Sequence, residues 1–418
     1  MMRSFYIVYT LSLLLVLILT ACAITPVEAE LPEPIEPAAE LLLKHTEPSL
    51  PELFPGKIAI LTNEITCDED EYRSAQQMVI KYGADKVIHR TWPVGFEGEQ
   101  MKRILLQIAK DPDIKALIIG QCVPNSLAAV DALLEIRNDM FLVAIEPTEN
   151  PAEITQIFDL IMNADEITMG EAMPFQAQKM GAKTLVHLSF PRHLSLDLIS
   201  ARHEVLKENC ELLCIEFVSH IITDPTSDIG MHGAQQVMLE EIPKLLAQYG
   251  QDTAFFCTSC DLQAPLIKAV VDAGAIYPQP CCPSPFHGFP LALGLAYDEY
   301  NGEQSVIEVF GMGDLFKETI EKTIEKLAEK NMLGRISNWP VPVSFLSTIA
   351  SAEYAIKWIN GEAPKEGIDV VLLEQCMAEY VGVQCFARTL GSHEADIDVA
   401  EGEYTNWFLV REDYITYE

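Results

Sequence analysis

Residues 115–120 read KALIIG and residues 140–145 read MFLVAI, with NSLAAVDALLEIR (125–137) between them. Each short run is nearly all apolar, as in a strand covered on both faces, while the stretch between them carries its apolar residues at helical spacing. A strand, a helix and a second strand of this kind form a β-α-β unit, in which the strands run parallel. The same rhythm extends both ways. GKIAIL (56–61) and KVIHR (86–90) are expected strands, followed by helices over Glu69–Tyr82, stopped by Gly83, and over Gly98–Lys110. A helix over Ala152–Met162 and a short strand ADEITM (164–169) are expected to close this first series.

The rhythm restarts after Met169. A helix over Gly170–Met180 stops at Gly181, and KTLVHLSF (183–190), ELLCIEFV (211–218) and TAFFC (253–257) read as strands. Between and after them lie helical patterns over Leu196–Asn209, from about Gly233 to Tyr249, and over Leu262–Ala273. The expected fold class is therefore α/β, with two tandem doubly wound, Rossmann-like lobes built on parallel sheets. More than 350 residues follow Pro55, which exceeds the usual size of one hydrophobic core. Ligands of open parallel sheets bind at the carboxyl ends of the strands, so a cleft between the lobes is the expected binding place.

The amino terminus has its own logic. Arg3 precedes an uncharged apolar segment from Phe5 to Thr20, too short to span a bilayer and suited to a secretory signal. It closes on Leu19-Thr20-Ala21-Cys22, which resembles the lipobox of bacterial lipoproteins. That resemblance implies lipidation of Cys22, cleavage before it, and a mature chain anchored on the extracytoplasmic face of the cell membrane. Residues 23 to about 55 alternate Pro and Glu and bury little apolar surface, as an extended tether does. The expected divisions are a signal peptide over 1–21, the lipidated Cys and tether over 22–55, and a first lobe of 57–168 plus about 296–332. A second lobe of 169–295 plus about 333–368 is followed by a final crossover and C-terminal segment over 369–418. Crossings between lobes are expected near Met169–Glu171, Leu295–Asp314 and Gly367–Glu374.

The formal net charge of −34 argues against nucleic acid or an anionic lipid surface as partner, since both need Lys/Arg patches. It suits the solubility of an exported protein.

With signal, tether and two tandem α/β lobes in this order, the chain resembles the type I periplasmic binding proteins, the solute receptors of ABC importers and kin of sugar-responsive repressors. MGEAMPFQAQKMGAKTLVHLSFP (169–191) is similar to the first helix and strand of that family's second lobe, and SFLSTIASAEYAIKWINGEAP (344–364) to its late helix. TAFFCTSCDLQAPLIKAVVDAGA (253–275) resembles the strand–loop–helix in which an Asn-Asp pair usually meets ligand; Cys260-Asp261 stands there, so the Asp matches and the Asn does not. More narrowly, the chain resembles an uncharacterised bacterial lipoprotein family within that superfamily. No helix-turn-helix precedes the first lobe, which speaks against the repressor branch. The resemblance implies a non-enzymatic receptor, expected to be a monomer, that passes a small polar solute to an ABC permease or a membrane sensor.

Candidate ligand contacts follow from the strand ends. In the first lobe these are Asn63, Glu64, Trp92, Gln121, Asn125 and Glu146; in the second, Arg192, His193, Asp228, Asp261 and Gln263. Amides and carboxylates take sugar or nucleoside hydroxyls, and an aromatic ring stacks on an apolar ring face. Each has a plainer reading as well: Asn125 and Asp261 as helix caps, Trp92 as a packed edge, Arg192 as half of an ion pair. Asp224, Asp228, His232 and His287 match no tight metal-ligand spacing.

Eleven cysteines include Cys22, and several of the rest sit in apolar settings, such as Cys214, Cys257 and Cys385, where a free thiol behaves as a small hydrophobe. Cys257-Thr258-Ser259-Cys260 has the spacing of a redox pair or of two metal ligands, the alternative reading being an exported enzyme or redox or metal-binding protein. Cys281-Cys282 is adjacent rather than a second such pair, which is awkward for a tetrahedral site from all four. No cofactor and no metal are expected. G-x-S-x-G, H-E-x-x-H and Walker motifs are absent from the sequence.

Overall fold

Odd- and even-numbered side chains of the central strands enter different cores. In the computed structural model, Ile58, Ile60, Ala116, Ile118, Val143 and Ile145 pack on one face of a sheet, and Ala59, Leu61, Leu117, Ile119, Leu142 and Ala144 on the other. The two-residue period of a pleated strand thus makes three layers from short apolar runs. The structure describes residues 53–64, 69–93, 96–147, 151–295, 306–396 and 403–418. Cys22, the expected signal segment and most of the expected tether lie outside the described residues.

The chain runs β1 (Lys57–Thr62), α1 (Glu69–Tyr82), β2 (Val87–Thr91), α2 (Gly98–Ala109), β3 (Ile114–Ile119), α3 (Ser126–Leu134), β4 (Phe141–Ile145), α4 (Pro151–Ile154) and β5 (Leu160–Ala164), then leaves the first lobe on α5 (Glu166–Lys179). β6 (Thr184–Ser189), α6 (Pro191–Leu194), α7 (Asp197–Leu212), β7 (Glu216–Ile221), α8 (Gly230–Tyr249), β8 (Thr253–Cys257), α9 (Gln263–Ala273) and α10 (Phe289–Leu293) follow. The remainder is α11 (Val306–Glu329), β9 (Ser337–Asn338), α12 (Val343–Asn360), α13 (Val370–Val381), β10 (Cys385–Leu390), β11 (Tyr404–Glu412) and β12 (Ile415–Thr416).

The first sheet has the order β2-β1-β3-β4-β5-β11-β10. All its pairings are parallel except that of the edge strand β10 with β11. The second sheet is β7-β6-β8, parallel throughout. Single parallel bridges carry it on, from Ala254 to Ile276 and from Tyr277 to Ile336, toward the antiparallel pair of β9 and β12.

Several expectations change. The helix expected over 152–162 shrinks to α4, and the strand expected over 164–169 is β5, four residues earlier. Ile154, Ile157, Phe158 and Ile161 have helical spacing, but residues 160–164 are taken up as a strand between β4 and β11. Asp165 instead caps α5, its carboxylate accepting from the Thr168 N–H at 3.1 Å. The strand expected over 211–218 slides to β7, because α7 runs on to Leu212 and Cys214 takes a left-handed turn with φ 56°. Cys214 is exposed, not in a strand.

The lobe allocation changes more. Residues 333–368 were expected in the second lobe, yet α12 packs Leu346, Ile349, Ala350 and Ile356 on the first sheet. Residues 296–332 were expected in the first, yet Ile320, Leu327 and Met332 pack in the second core, with Phe316 in the first; residues 296–305 lie outside the described set. The first crossing, at the root of α5, is close to its expected place. Among the described residues the chain also passes between the cores from β9 to α12 and from β11 to β12, not near Gly367–Glu374, while the crossing expected near Leu295–Asp314 falls largely outside the described residues.

Candidate functional site

The pairing of Leu61 with Ile119 sets the residues beyond β1 and β3 level with each other. Two residues on, the Asn63 Nδ2 donates to Gln121 Oε1 and, at 3.3 Å, to Glu71 Oε2. The Asn63 backbone N–H donates to Glu71 Oε1 at 2.9 Å. Two acceptors on one side of the amide fix its orientation, and Asn63 Oδ1 is left buried with no partner in the protein. Glu71 comes from the first turn of α1, and room for it depends on Gly120, where a Cβ would lie 2.7 Å from Glu71 Cγ. Sequence reasoning missed Glu71, whose position inside a helical pattern hides a buried carboxylate.

Trp92 belongs to this neighbourhood as support. It is 1% exposed, its Nε1 donates to the Gln121 carbonyl at 3.2 Å, and the ring fills the first-lobe core; it offers no face for stacking. Asn125 is exposed and left-handed (φ 76°) and starts α3 without a side-chain cap bond; its Nδ2 donates to the Phe96 carbonyl at 3.3 Å. Glu146, half-buried, turns away from β4 with φ 46°. Glu64 is half-buried beside Asn63.

In the second lobe the ends of β6 and β8 meet. His193 Nδ1 lies 3.1 Å from Thr258 Oγ1, which lies 2.8 Å from Ser189 Oγ. The His193 ring packs on Phe190 at 4.1 Å, and burial, helped by the Arg192 charge, pushes its pKa down. Thr258 and Ser189 were not singled out from sequence. Arg192 is bound already: its guanidinium grips Asp224 at 2.8 and 3.0 Å and lies over Phe190. Hydrogen bonding from Arg192 holds the Asp224 carboxyl far below the ordinary range. This is the ion-pair reading of Arg192, not an open fork for an anion. Asp261 is exposed and its charge adds to the field on Arg192. Asp228 is exposed in the turn before α8. Gln263 is fully buried and structural: its Nε2 donates to the carbonyls of Cys257 (3.0 Å) and Ser259 (2.7 Å), and its Oε1 accepts from Tyr277.

The Cys257–Cys260 pairing is not what the fold makes. Cys257 is buried within β8, where burial pushes its thiol up to about 12. Cys260 joins other partners: its Sγ lies 3.2 Å from that of Cys281 and 3.7 Å from that of Cys282. Cys281 and Cys282 Sγ are 3.8 Å apart, and Cys281 Sγ is 3.9 Å from His287 Nε2. Hydrogen bonds from Cys281, then Cys282, then His287 hold the Cys260 thiol well below its ordinary range, while Cys282 is pushed up to about 12. All nine described cysteines are free of disulfides, and six are buried. A separate hollow of about 480 Å³, lined by Gln76, Val79, Ile80 and Arg90 among others, lies along edge strand β2 and away from these groups.

The model of a family described as protein of unknown function (DUF3798) matches residues 56–336. The chain belongs to the DUF3798 family. This DUF3798 chain is 29% identical over 231 residues to an uncharacterised protein of Treponema pallidum (strain Nichols), aligning 55% of itself with 100% of that protein. It is 31% identical over 176 residues to a second such protein of the same strain, 40% of this chain with 80% of that one. Among solved structures, a proposed transcriptional regulator from Clostridium difficile 630 superposes with a TM-score of 0.74 at 17% identity, covering 88% of this chain and 100% of that one. A sugar ABC transporter protein from Actinomyces odontolyticus ATCC 17982 matches with a TM-score of 0.45 at 8% identity, over 73% of this chain and 84% of that chain. The DUF3798 chain shares the two-lobed α/β fold of that regulator. No helix among the described residues is long and apolar enough to cross a membrane.

Proposed function

We propose that this protein is a membrane-anchored, extracytoplasmic receptor that captures a small polar solute, sugar- or nucleoside-like, between its two lobes. The observation that supports this most directly is the pair formed by Asn63 and Gln121. It lies beyond adjacent parallel strands, where ligands of such sheets bind, and Asn63 Oδ1 is a buried acceptor without a partner. A solute hydroxyl that donates to it relieves an unmet hydrogen bond, which gives selectivity for polyols over apolar molecules. His193 and Thr258 at the second-lobe strand ends offer a complementary donor and acceptor. The three crossings provide the joint about which two lobes of such a receptor close. Cys22 carries the anchor in this reading, an ABC permease or membrane sensor receives the solute, and the protein acts as a monomer without chemistry of its own.

The test is a panel of neutral monosaccharides and nucleosides at millimolar concentration, read by melting temperature and by calorimetry on the full chain. One class should raise the melting temperature of the parent, and the rise should vanish in Gln121→Ala. A panel that leaves the melting temperature unmoved throughout sinks the sugar and nucleoside assignment.

A further inference from the structure

Four soft donors from three separated segments converge in the second lobe. Cys260 opens the turn after β8, Cys281 and Cys282 follow the chain that bridges to β8 at Ile276, and His287 lies just ahead of α10. We propose that Cys260, Cys281, Cys282 and His287 form a binding site for a thiophilic divalent cation, with zinc as the occupant.

The distances carry the case. Zinc holds thiolates at about 2.3 Å in a tetrahedron, so paired sulfurs around it stand about 3.8 Å apart, and a sulfur and an imidazole nitrogen about 3.6 Å apart. The sulfur of Cys282 stands 3.7 Å from Cys260 and 3.8 Å from Cys281, and Cys281 stands 3.9 Å from His287 Nε2. The 3.2 Å contact between Cys260 and Cys281 must widen. The donor atoms of Cys260, Cys281 and His287 all lie within 4.8 Å of one another; Cys282 meets both cysteines but falls outside that group, so it must swing toward the imidazole to complete the four. A disulfide would bring one sulfur pair to about 2.05 Å and leave the imidazole without a role.

Local sequence constrains the loop that carries these donors. Pro280, Pro283 and Pro285 restrict the loop. The His287 N–H donates to the Ser284 carbonyl at 3.1 Å, turning the ring back toward the thiols. Gly288 follows with φ 83°, and a Cβ there would lie 3.1 Å from both the Ala264 N and the Gln263 Cβ, so the turn is pressed against the start of α9. Cys281 is buried, while Cys260 and Cys282 are exposed and leave a way in. On binding, each thiol that bonds gives its proton to the solvent, and His287 binds as neutral imidazole through Nε2. Binding therefore releases protons and tightens as pH rises. The same segment reaches the joint between lobes: Gln279 accepts from Tyr414 beyond β11 and lies 3.5 Å from Met169 Sδ on α5.

The full chain, purified under reductant and stripped with chelator, is titrated with zinc and with cobalt(II) as a spectroscopic probe. The expected result is one equivalent bound, with thiolate-to-cobalt charge-transfer absorption. Cys260→Ser and Cys282→Ser change exposed residues and should fold, as circular dichroism checks. Each, with His287→Ala, should weaken binding by more than the roughly tenfold that loss of a supporting contact costs. Cys214→Ser should bind as the parent does. A reduced chain that takes up no metal at one equivalent, or site variants that bind like the parent, overturns the proposal. Metal uptake is read without solute, so a failed solute panel leaves this result standing on its own.

Discussion

Arg388 grips Asp165 through two parallel contacts, Nε to Oδ2 at 2.6 Å and Nη2 to Oδ1 at 2.8 Å. Asp165 is also the cap of α5, so the guanidinium from β10 anchors the root of the first crossing between lobes. The same guanidinium holds Asp396 at 2.6 and 3.0 Å. Burial works against the Asp396 carboxylate, yet the Arg388 contacts outweigh it and keep its pKa below the ordinary value. A residue late in the chain thereby holds the start of the helix on which the chain leaves the first lobe.

Arg388→Met should cost about 3–5 kcal/mol, because it leaves two buried carboxylates without their cation. Urea unfolding measures it. A loss under about 1 kcal/mol would mean that water replaces the guanidinium and that the triad does not organise the crossing.

Gln121→Ala should separate binding from stability. Asn63 Nδ2 keeps Glu71 as acceptor, so the unliganded chain should lose under about 1 kcal/mol, while solute affinity falls by about 1–3 kcal/mol. Gly120→Ala should damage both, since its Cβ displaces Glu71. Equal losses of stability in the two variants would make Gln121 a structural residue.

Glu412 should make stability fall as pH rises. Burial raises its carboxyl pKa well above 4.5, with only a long 3.4 Å contact from the Val341 N–H opposing. The folded state then holds a proton that the unfolded state has released. The contribution is complete below the unfolded pKa and is lost as pH climbs from there toward the folded value, at up to about 1.4 kcal/mol per pH unit. Glu412→Gln, which copies the protonated shape, should flatten this slope between pH 5 and pH 8 in thermal melts (roughly the window above the free Glu pKa).

His187 and His203 should act in the opposite sense. Their Nδ1 atoms are 2.9 Å apart, which allows one proton between them, and burial lowers both pKa values. The unfolded chain takes up protons below about pH 6.5 that the folded pair refuses, so stability is present above that pH and lost as pH falls. His203→Asn should reduce this acid loss. An acid limb with the parent's slope in that variant would place its origin elsewhere.

Cys22→Ala should leave an unprocessed precursor or a soluble, unacylated chain. Intact-mass analysis of membrane-extracted parent protein checks it, and a parent without acyl groups would remove the anchor from the proposed function.

Parts of the candidate site were legible and parts were not. Asn63 and Gln121 could be found because each directly follows an apolar run, and parallel neighbours must end on the same side. Glu71 could not, since a helical pattern does not show which of its acids folds inward. Arg192 and Gln263 follow β6 and β8, but their partners Asp224 and Tyr277 lie 32 and 14 residues away, and those contacts decided that one is an ion pair and the other part of the core.

What the sequence determined by itself was the local alternation: two-residue and 3.6-residue periods, read over short windows, named most strands and helices and hence two parallel-sheet lobes. Tertiary structure alone decided which lobe each late segment joins. β11 pairs with β5 across more than 240 residues, α12 returns to the first sheet, and Cys260 meets Cys281 and His287 rather than Cys257. Those choices depend on which apolar face is left uncovered once everything else has packed. That is a property of the whole chain, and no window of residues contains it.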